Sequence, residues 1–280
     1  MRGHSIVAVT AALVLIASAA RAEDDANIAL DWQPGPATFP IEGDLAEIEL
    51  SEDFVFLDRP QTEKLMQLTG NPLTGSEAAT IAGVDESSWF LVLEWDAIGY
   101  VPDEDKDSLD PEALLESIQA GTEASNAERR ERGWSELNVV GWEEKPFYDE
   151  RTHNLTWSIR AESDGETTLN RTIKLLGRRG VMTATLVASP EELTALTPQI
   201  DSLLDGYRFQ PGSTYAEFVP GTDRMAEIGL AALVAGGAGA LLAKSGLLAR
   251  FWKLLVVGGL GLVAGVRKLF GRTTAQDSNA

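Results

Sequence analysis

Apolar and polar residues alternate with two different periods along this 280-residue chain. In SWFLVLEWD (88–96), Trp89, Leu91, Leu93 and Trp95 fall on one face of a predicted strand. HNLTWSIRA (153–161) repeats the pattern with Leu155, Trp157, Ile159 and Ala161. ELNVVGW, TTLNRTIKLL and VMTATLVAS also read as strands, the last two joined by a hairpin turn at Gly177-Arg178-Arg179-Gly180. IEGDLAEIELSEDFVFL reads as two short strands around Ser51-Glu52-Asp53. The period changes in DRPQTEKLMQLTGNP, a short helix stopped by Gly70 and Pro72.

Two further segments carry helix signals. Asp110 is placed to cap a helix with Pro111 at its first position, Leu114, Leu115 and Ile118 in its apolar stripe, and Gly133 at its stop. Ser189 precedes Pro190, with Glu192 at the capping-box position and a stripe of Leu193, Leu196, Ile200, Leu203 and Leu204. Hairpins interspersed with helices predict an α+β domain with a largely antiparallel sheet and flanking helices.

The two ends differ from the middle. Residues 1–22 combine Arg2 and His4 with an apolar run and a small-x-small site at Ala20-Arg21-Ala22, the features of a cleaved signal peptide. Residues 23–40 are rich in Pro, Gly and Ala and read as a mobile lead to a domain spanning 41–222. A membrane-anchoring segment is expected over 223–272, followed by a polar tail, 273–280. It holds two uncharged blocks, 228–243 and 254–266, each about 20–24 Å long as a helix against a hydrocarbon core of about 30 Å. Lys244, Arg250 and Lys253 lie between the blocks, and Arg267, Lys268 and Arg272 follow them. The positive-inside rule therefore leaves one span and a helical hairpin equally open. Gly258, Gly261 and Gly265 make a small-residue face for helix packing or self-association in the membrane.

Charge sharpens this division. Residues 23–222 carry 14 Lys/Arg against 40 Asp/Glu, a net of −26. Such a domain repels nucleic acid and anionic headgroups and favours a cationic partner. The absence of cysteine excludes thiol catalysis, disulfides and cysteine-ligated metals.

Candidate chemistry is sparse. Asp103, Asp105 and Asp107 have the spacing with which calcium loops begin, but Ser108 and Leu114 stand where such a loop needs glycine and glutamate. They are weak calcium candidates ahead of a capped helix. His153, near Asp149 and Glu150, is the one histidine left after signal cleavage, and reads as turn surface rather than a general base. Trp134 and Trp142 are expected to be more exposed than Trp89, Trp95 and Trp157. No catalytic residue and no cofactor is expected.

SIQAGTEASNAERRERG, VVGWEEKPFYDERTHNLTW, LNRTIKLLGRRGVM and the glycine-rich apolar tail together resemble a family of uncharacterised bacterial membrane-anchored proteins. That family is a domain of unknown function, sometimes described as a predicted amylopullulanase regulator. The resemblance implies an extracytoplasmic domain tethered to the inner membrane and brings no catalytic residues. The expected role is non-enzymatic binding or regulation of an unknown protein partner, with membrane lipid met by the C-terminal segment. The alternatives are a glycan-binding module, using tryptophan beside carboxylate, and a carboxylate-based hydrolase.

Overall fold

The computed structural model describes residues 30–68, 73–84, 89–131, 135–163, 165–188 and 190–235. Their chain order is β1 (Gln33–Pro34), β2 (Ala37–Ile41), β3 (Ala46–Leu50), β4 (Phe54–Leu57), α1 (Arg59–Leu68), β5 (Glu77–Gly83), β6 (Phe90–Asp96), α2 (Pro111–Glu131), β7 (Asn138–Asp149), β8 (Asn154–Ser163), β9 (Glu166–Leu176), β10 (Val181–Ala188), α3 (Pro190–Asp205), β11 (Tyr207–Phe209) and α4 (Leu230–Val234). Eight strands form one antiparallel sheet in the order β1-β4-β5-β6-β10-β9-β8-β7, and β11-β3-β2 form a second. The α+β class with a largely antiparallel sheet is therefore what the chain forms.

Both faces of the large sheet are covered, which is why its central strands are buried throughout. On one face, Trp89, Leu91 and Leu93 of the β6 region pack with Met182, Ala184 and Leu186 of β10. The small sheet and the Leu193, Leu196, Ile200 and Leu203 stripe of α3 close over them. The other face has two apolar clusters. α1 brings Leu65 and Met66 onto Leu57, Phe90 and Val92. α2 brings Leu114 and Ile118 toward Leu155, Trp157, Ile159 and Ala161 of β8.

Several segments differ from the sequence reading. Residues 33–40, expected in a mobile lead, carry β1 and most of β2. β3 and β4 flank Ser51-Glu52-Asp53 as expected, yet they belong to different sheets. β5 escapes the alternation rule because all seven residues are buried and three are alanine. β7 runs on through Lys145 and Pro146 to Asp149, and three register irregularities absorb its uneven pattern.

The chain does not leave the domain at residue 222. Asp223 accepts two hydrogen bonds from Arg178, from Nε at 2.7 Å and from Nη2 at 3.0 Å. Tyr100 N–H donates to Arg224 O (2.9 Å) and Ala226 N–H donates to Tyr100 O (2.7 Å). Gly99 permits this approach: its φ is +99°, and a Cβ there would lie 2.7 Å from Arg224 O. Ile228, Leu230, Leu233 and Val234 then enter the cluster that contains Ile98, Val101, Leu114 and Ile118. The first half of the apolar block 228–243 thus completes the domain core. The expected signal peptide, the block 254–266, Gly258, Gly261, Gly265 and the polar tail lie outside the described residues. Among the described residues no helix is long and apolar enough to cross a membrane.

Candidate functional site

Two groups of chemistry-bearing side chains stand out, and the first lies inside the large sheet. Register places Thr183 of β10 opposite both Glu94 of β6 and Lys174 of β9, and Glu77 of β5 opposite Glu94. The row Glu77–Glu94–Thr183–Lys174 therefore crosses four strands on one face, between the α1 and α2 clusters. Asp96 follows two residues after Glu94 and so returns to that face. Glu77, Glu94, Asp96 and Lys174 are all buried, at 0, 1, 5 and 6 % exposure.

Burial of carboxylates is costly unless donors meet them. Glu77 is fully served: Thr74 donates its N–H (2.6 Å) and its hydroxyl (2.8 Å) to Oε1, and Gly75 N–H donates to Oε2 (2.8 Å). Glu94 has no such cradle, and Thr74 Oγ1 stands 3.5 Å from its Oε1. Desolvation, reinforced by the negative charges of Asp96 and Glu77, pushes Glu94 up to about 8 despite the attraction of Lys174. The protonated, neutral form of Glu94 is thereby favoured. Lys174 Nζ donates to Thr183 Oγ1 (2.8 Å), and burial holds this amine below the ordinary lysine range against the pull of Asp96 and Glu94. Sequence reasoning missed the row, although Glu94 and Asp96 sit in a strand otherwise apolar on both faces, which is a legible mark of buried charge.

The second group gathers around the acidic loop. Tyr148 of β7 donates its hydroxyl proton to Asp103 Oδ2 at 3.0 Å. The Tyr148 hydroxyl oxygen also lies 2.9 Å from His153 Nδ1. Tyrosine has one hydroxyl proton, so with that proton on Asp103 the hydrogen between Tyr148 and His153 comes from Nδ1–H. The imidazole packs 4.3 Å from the Tyr215 ring, which stacks on Tyr100 at 4.4 Å, and Tyr215 donates to Val101 O at 2.8 Å. Burial and the neighbouring Asp103 raise Tyr148 well above the usual phenol range, and burial and Tyr100 do the same to Tyr215. His153, expected as turn surface, is instead half-buried, held at φ +55°.

The three aspartates of the calcium spacing have separate destinations. Asp103 is taken by Tyr148. Asp105 accepts from the first amides of α4, Leu230 N–H to Oδ1 (3.1 Å) and Ala231 N–H to Oδ2 (3.2 Å). Asp107 points to solvent from a single 3-10 turn at Lys106–Ser108. Among the described residues no group of three His, Asp or Glu side chains is placed to hold a metal ion. Asp110 caps α2 as expected, accepting from Glu112 N–H and Ala113 N–H, each at 3.1 Å. Trp142, expected to be exposed, is half-buried, and its Nε1–H donates to Pro111 O at 2.9 Å. Trp89 and Trp157 are core residues and Trp95 packs against the core, as the alternation predicts. Trp134 lies outside the described residues.

A family model described as a protein of unknown function, DUF2167, matches residues 33–267. No curated protein matches the chain. Among solved structures, the solution structure of cyanobacterial PsbP (CyanoP) from Synechocystis sp. PCC 6803 aligns at 11 % identity. The alignment covers 68 % of this chain and 98 % of that one, with a TM-score of 0.39.

Proposed function

The chain belongs to the DUF2167 family of proteins of unknown function, and from that premise we propose a non-enzymatic role in the bacterial envelope. The domain is exported, held at the inner membrane by the C-terminal apolar sequence, and binds a protein partner through a basic surface on that partner. One observation carries this reading: the charge is segregated. Glu94 and Lys174, two groups whose protonation the fold perturbs, are sealed under the sheet, where Lys174 bonds the Thr183 hydroxyl. The excess of acids, net −26 over 23–222, is carried largely outside, where Glu52, Glu104, Asp107 and Glu166 are exposed. A field of one sign steers cationic surfaces toward it and repels acidic ones.

The test is recovery of partners on the detergent-solubilised full-length protein across a salt series. A specific partner with a basic surface should be retained at about 0.05 M salt and released by about 0.5 M, where screening is stronger. Retention that ignores salt, or an acidic partner, contradicts the electrostatic reading. A turnover activity lost in a folded Glu94→Gln variant contradicts the non-enzymatic one.

A further inference from the structure

Between the α1 and α2 clusters the large sheet has a polar floor. Register sets Thr168, Asn170, Thr172 and Lys174 of β9 opposite Ala161, Ile159, Trp157 and Leu155 of β8, all on the α2 side. Thr183 and Thr185 of β10 stand opposite Lys174 and Thr172, and on their other flank opposite Glu94 and Val92 of β6. Facing residues of a ladder share a face, so six inward positions on two neighbouring central strands are polar. All six are buried, at 1–8 % exposure. Such positions are ordinarily apolar, because a buried polar atom without a partner destabilises the fold. Lys174 and Thr183 meet each other. Thr168 Oγ1, Asn170 Nδ2 and Thr185 Oγ1 meet no hydrogen-bond partner among the described residues. Three orphaned polar groups on one floor point to a ligand that supplies their partners.

We propose that this floor binds an uncharged sugar. Charge sets the class first. Thr168, Asn170, Thr172 and Thr185 carry none, whereas Glu94 and Lys174 flank Thr183 at the other end, with Asp96 beyond. An ionised group set down on the threonine and asparagine end would be buried without a counter-charge. The donor set comes next. Each threonine hydroxyl can donate and accept, and the Asn170 amide donates through Nδ2, which suits neighbouring hydroxyls of a sugar. Spacing agrees. Thr185 is opposite Thr172 and one diagonal step, about 7–8 Å, from Asn170, and Thr168 follows about 7 Å further along β9. The hydroxyl rim of one or two sugar rings covers that span. The walls complete the match. Trp157 of the α2 cluster flanks the floor on the β8 side, and Phe90 of the α1 cluster flanks it on the β6 side. A sugar ring is polar at its rim and apolar on its C–H faces, so it can set hydroxyls on the floor and carbon against an aromatic wall. The site is separate from the acidic exterior of the proposed function and does not depend on it.

The test is saturation-transfer NMR on the detergent-solubilised full-length protein. Glucose, galactose and N-acetylglucosamine are the probes, with glucuronate and glucosamine as charged counterparts. At least one uncharged sugar should bind, equally well at about 0.05 and about 0.5 M salt, because screening does not act on it. Thr185→Val and Asn170→Leu replace unpartnered polar groups by apolar ones of similar size, so both variants should fold, which thermal unfolding checks. Each should weaken sugar binding about tenfold or more, the loss of one hydrogen bond to the ligand. If either variant fails to fold, Thr168→Val takes its place in the comparison. No transfer to any of the three sugars overturns the proposal, since the floor then serves the fold alone. Binding that the folded variants retain overturns it by placing the sugar elsewhere. Charged counterparts bound as tightly as the uncharged sugars overturn it by refuting the ligand class.

Discussion

Ending the chain after Thr222 should give a less stable protein than ending it after Ala235. The sequence reading places the domain boundary at 222, and the structure places the next thirteen residues, 223–235, on the domain surface and then inside it. Leu230 measures the effect, because it is fully buried in the α2-side cluster. Leu230→Ala should cost about 2–5 kcal/mol, the range for removing a buried leucine when the surroundings relax only partly. For a domain of this size each kcal/mol moves Tm by about 2–4 °C. The substitution alone should therefore lower Tm by about 4–20 °C. The shorter chain loses more: Leu230, Leu233 and Val234 together, the Tyr100 backbone pairing, and Asp223 as partner to Arg178. It also exposes Ile98 and Val101, which residues 228–234 help to cover. The assay is thermal and urea unfolding followed by tryptophan fluorescence on chains beginning at Glu23. If the chain ending at 222 melts within about 1 °C of the one ending at 235, residues 223–235 do not unfold with the domain. The argument from burial would then be wrong.

Glu94→Gln should make the domain more tolerant of alkaline pH. Because its folded value is raised, Glu94 contributes stability that is complete below the ordinary glutamate range and is lost as pH rises through about 8. The variant should gain on the wild type over that window, by on the order of a few kcal/mol. Lys174, whose value is lowered, acts with the opposite sign at higher pH, stability recovering as the unfolded chain gives up its lysine proton. Urea midpoints of the wild type and the variant at pH 5, 7 and 9 read the Glu94 window, and equal midpoint differences across the three would refute the assignment. Asp105→Ala should cost about 0.5–2 kcal/mol as a lost cap, whereas Asp107→Ala, exposed on its turn, should be within about 0.5 kcal/mol of wild type. Calorimetry should find no micromolar calcium site, because Asp103 and Asp105 are engaged by Tyr148 and by α4. Tight binding abolished by Asp103→Ala/Asp105→Ala would overturn that.

What could be read from the sequence was local in origin. Alternation located β6 and β8 because one face of each packs on a single cluster. The Asp110-Pro111 start located α2 because a cap involves only residues two and three positions on. Non-local partners hid the rest. Nothing near Ala37 announces that it pairs with Leu50, and nothing near Leu50 places β3 and β4 in different sheets. The row from Glu77 to Lys174 joins four strands whose order follows from the completed sheet. His153 looked like turn surface because its neighbours are polar, yet Tyr215, sixty-two positions along, supplies the ring that covers it.

The C-terminal block shows where composition stops discriminating. A run of alanine, leucine and glycine leaves water equally readily for a protein core and for lipid, since both remove apolar surface from water. What separates the two destinations is the treatment of the backbone at the ends of the run. In lipid the first amides of a helix must be turned back on the helix or reach the headgroups. In a domain another element can receive them, and here Asp105 does so from 125 and 126 residues away in sequence. The acid spacing that resembles a calcium loop is thus better explained as a docking point for the start of α4. Asp105 belongs to the attachment of α4, and Asp103, through Tyr148 and His153, ties the same loop to the end of β7. Restoring calcium-loop residues at 108 and 114 should therefore not create a tight calcium site unless Asp105 is first released from α4. Comparing calcium binding by Ser108→Gly/Leu114→Glu with and without a Leu230→Pro change, which removes the N–H that Leu230 donates to Asp105, would decide it. Tight binding in the double variant alone would show that Asp105 is free to turn, and would contradict its place at the start of α4.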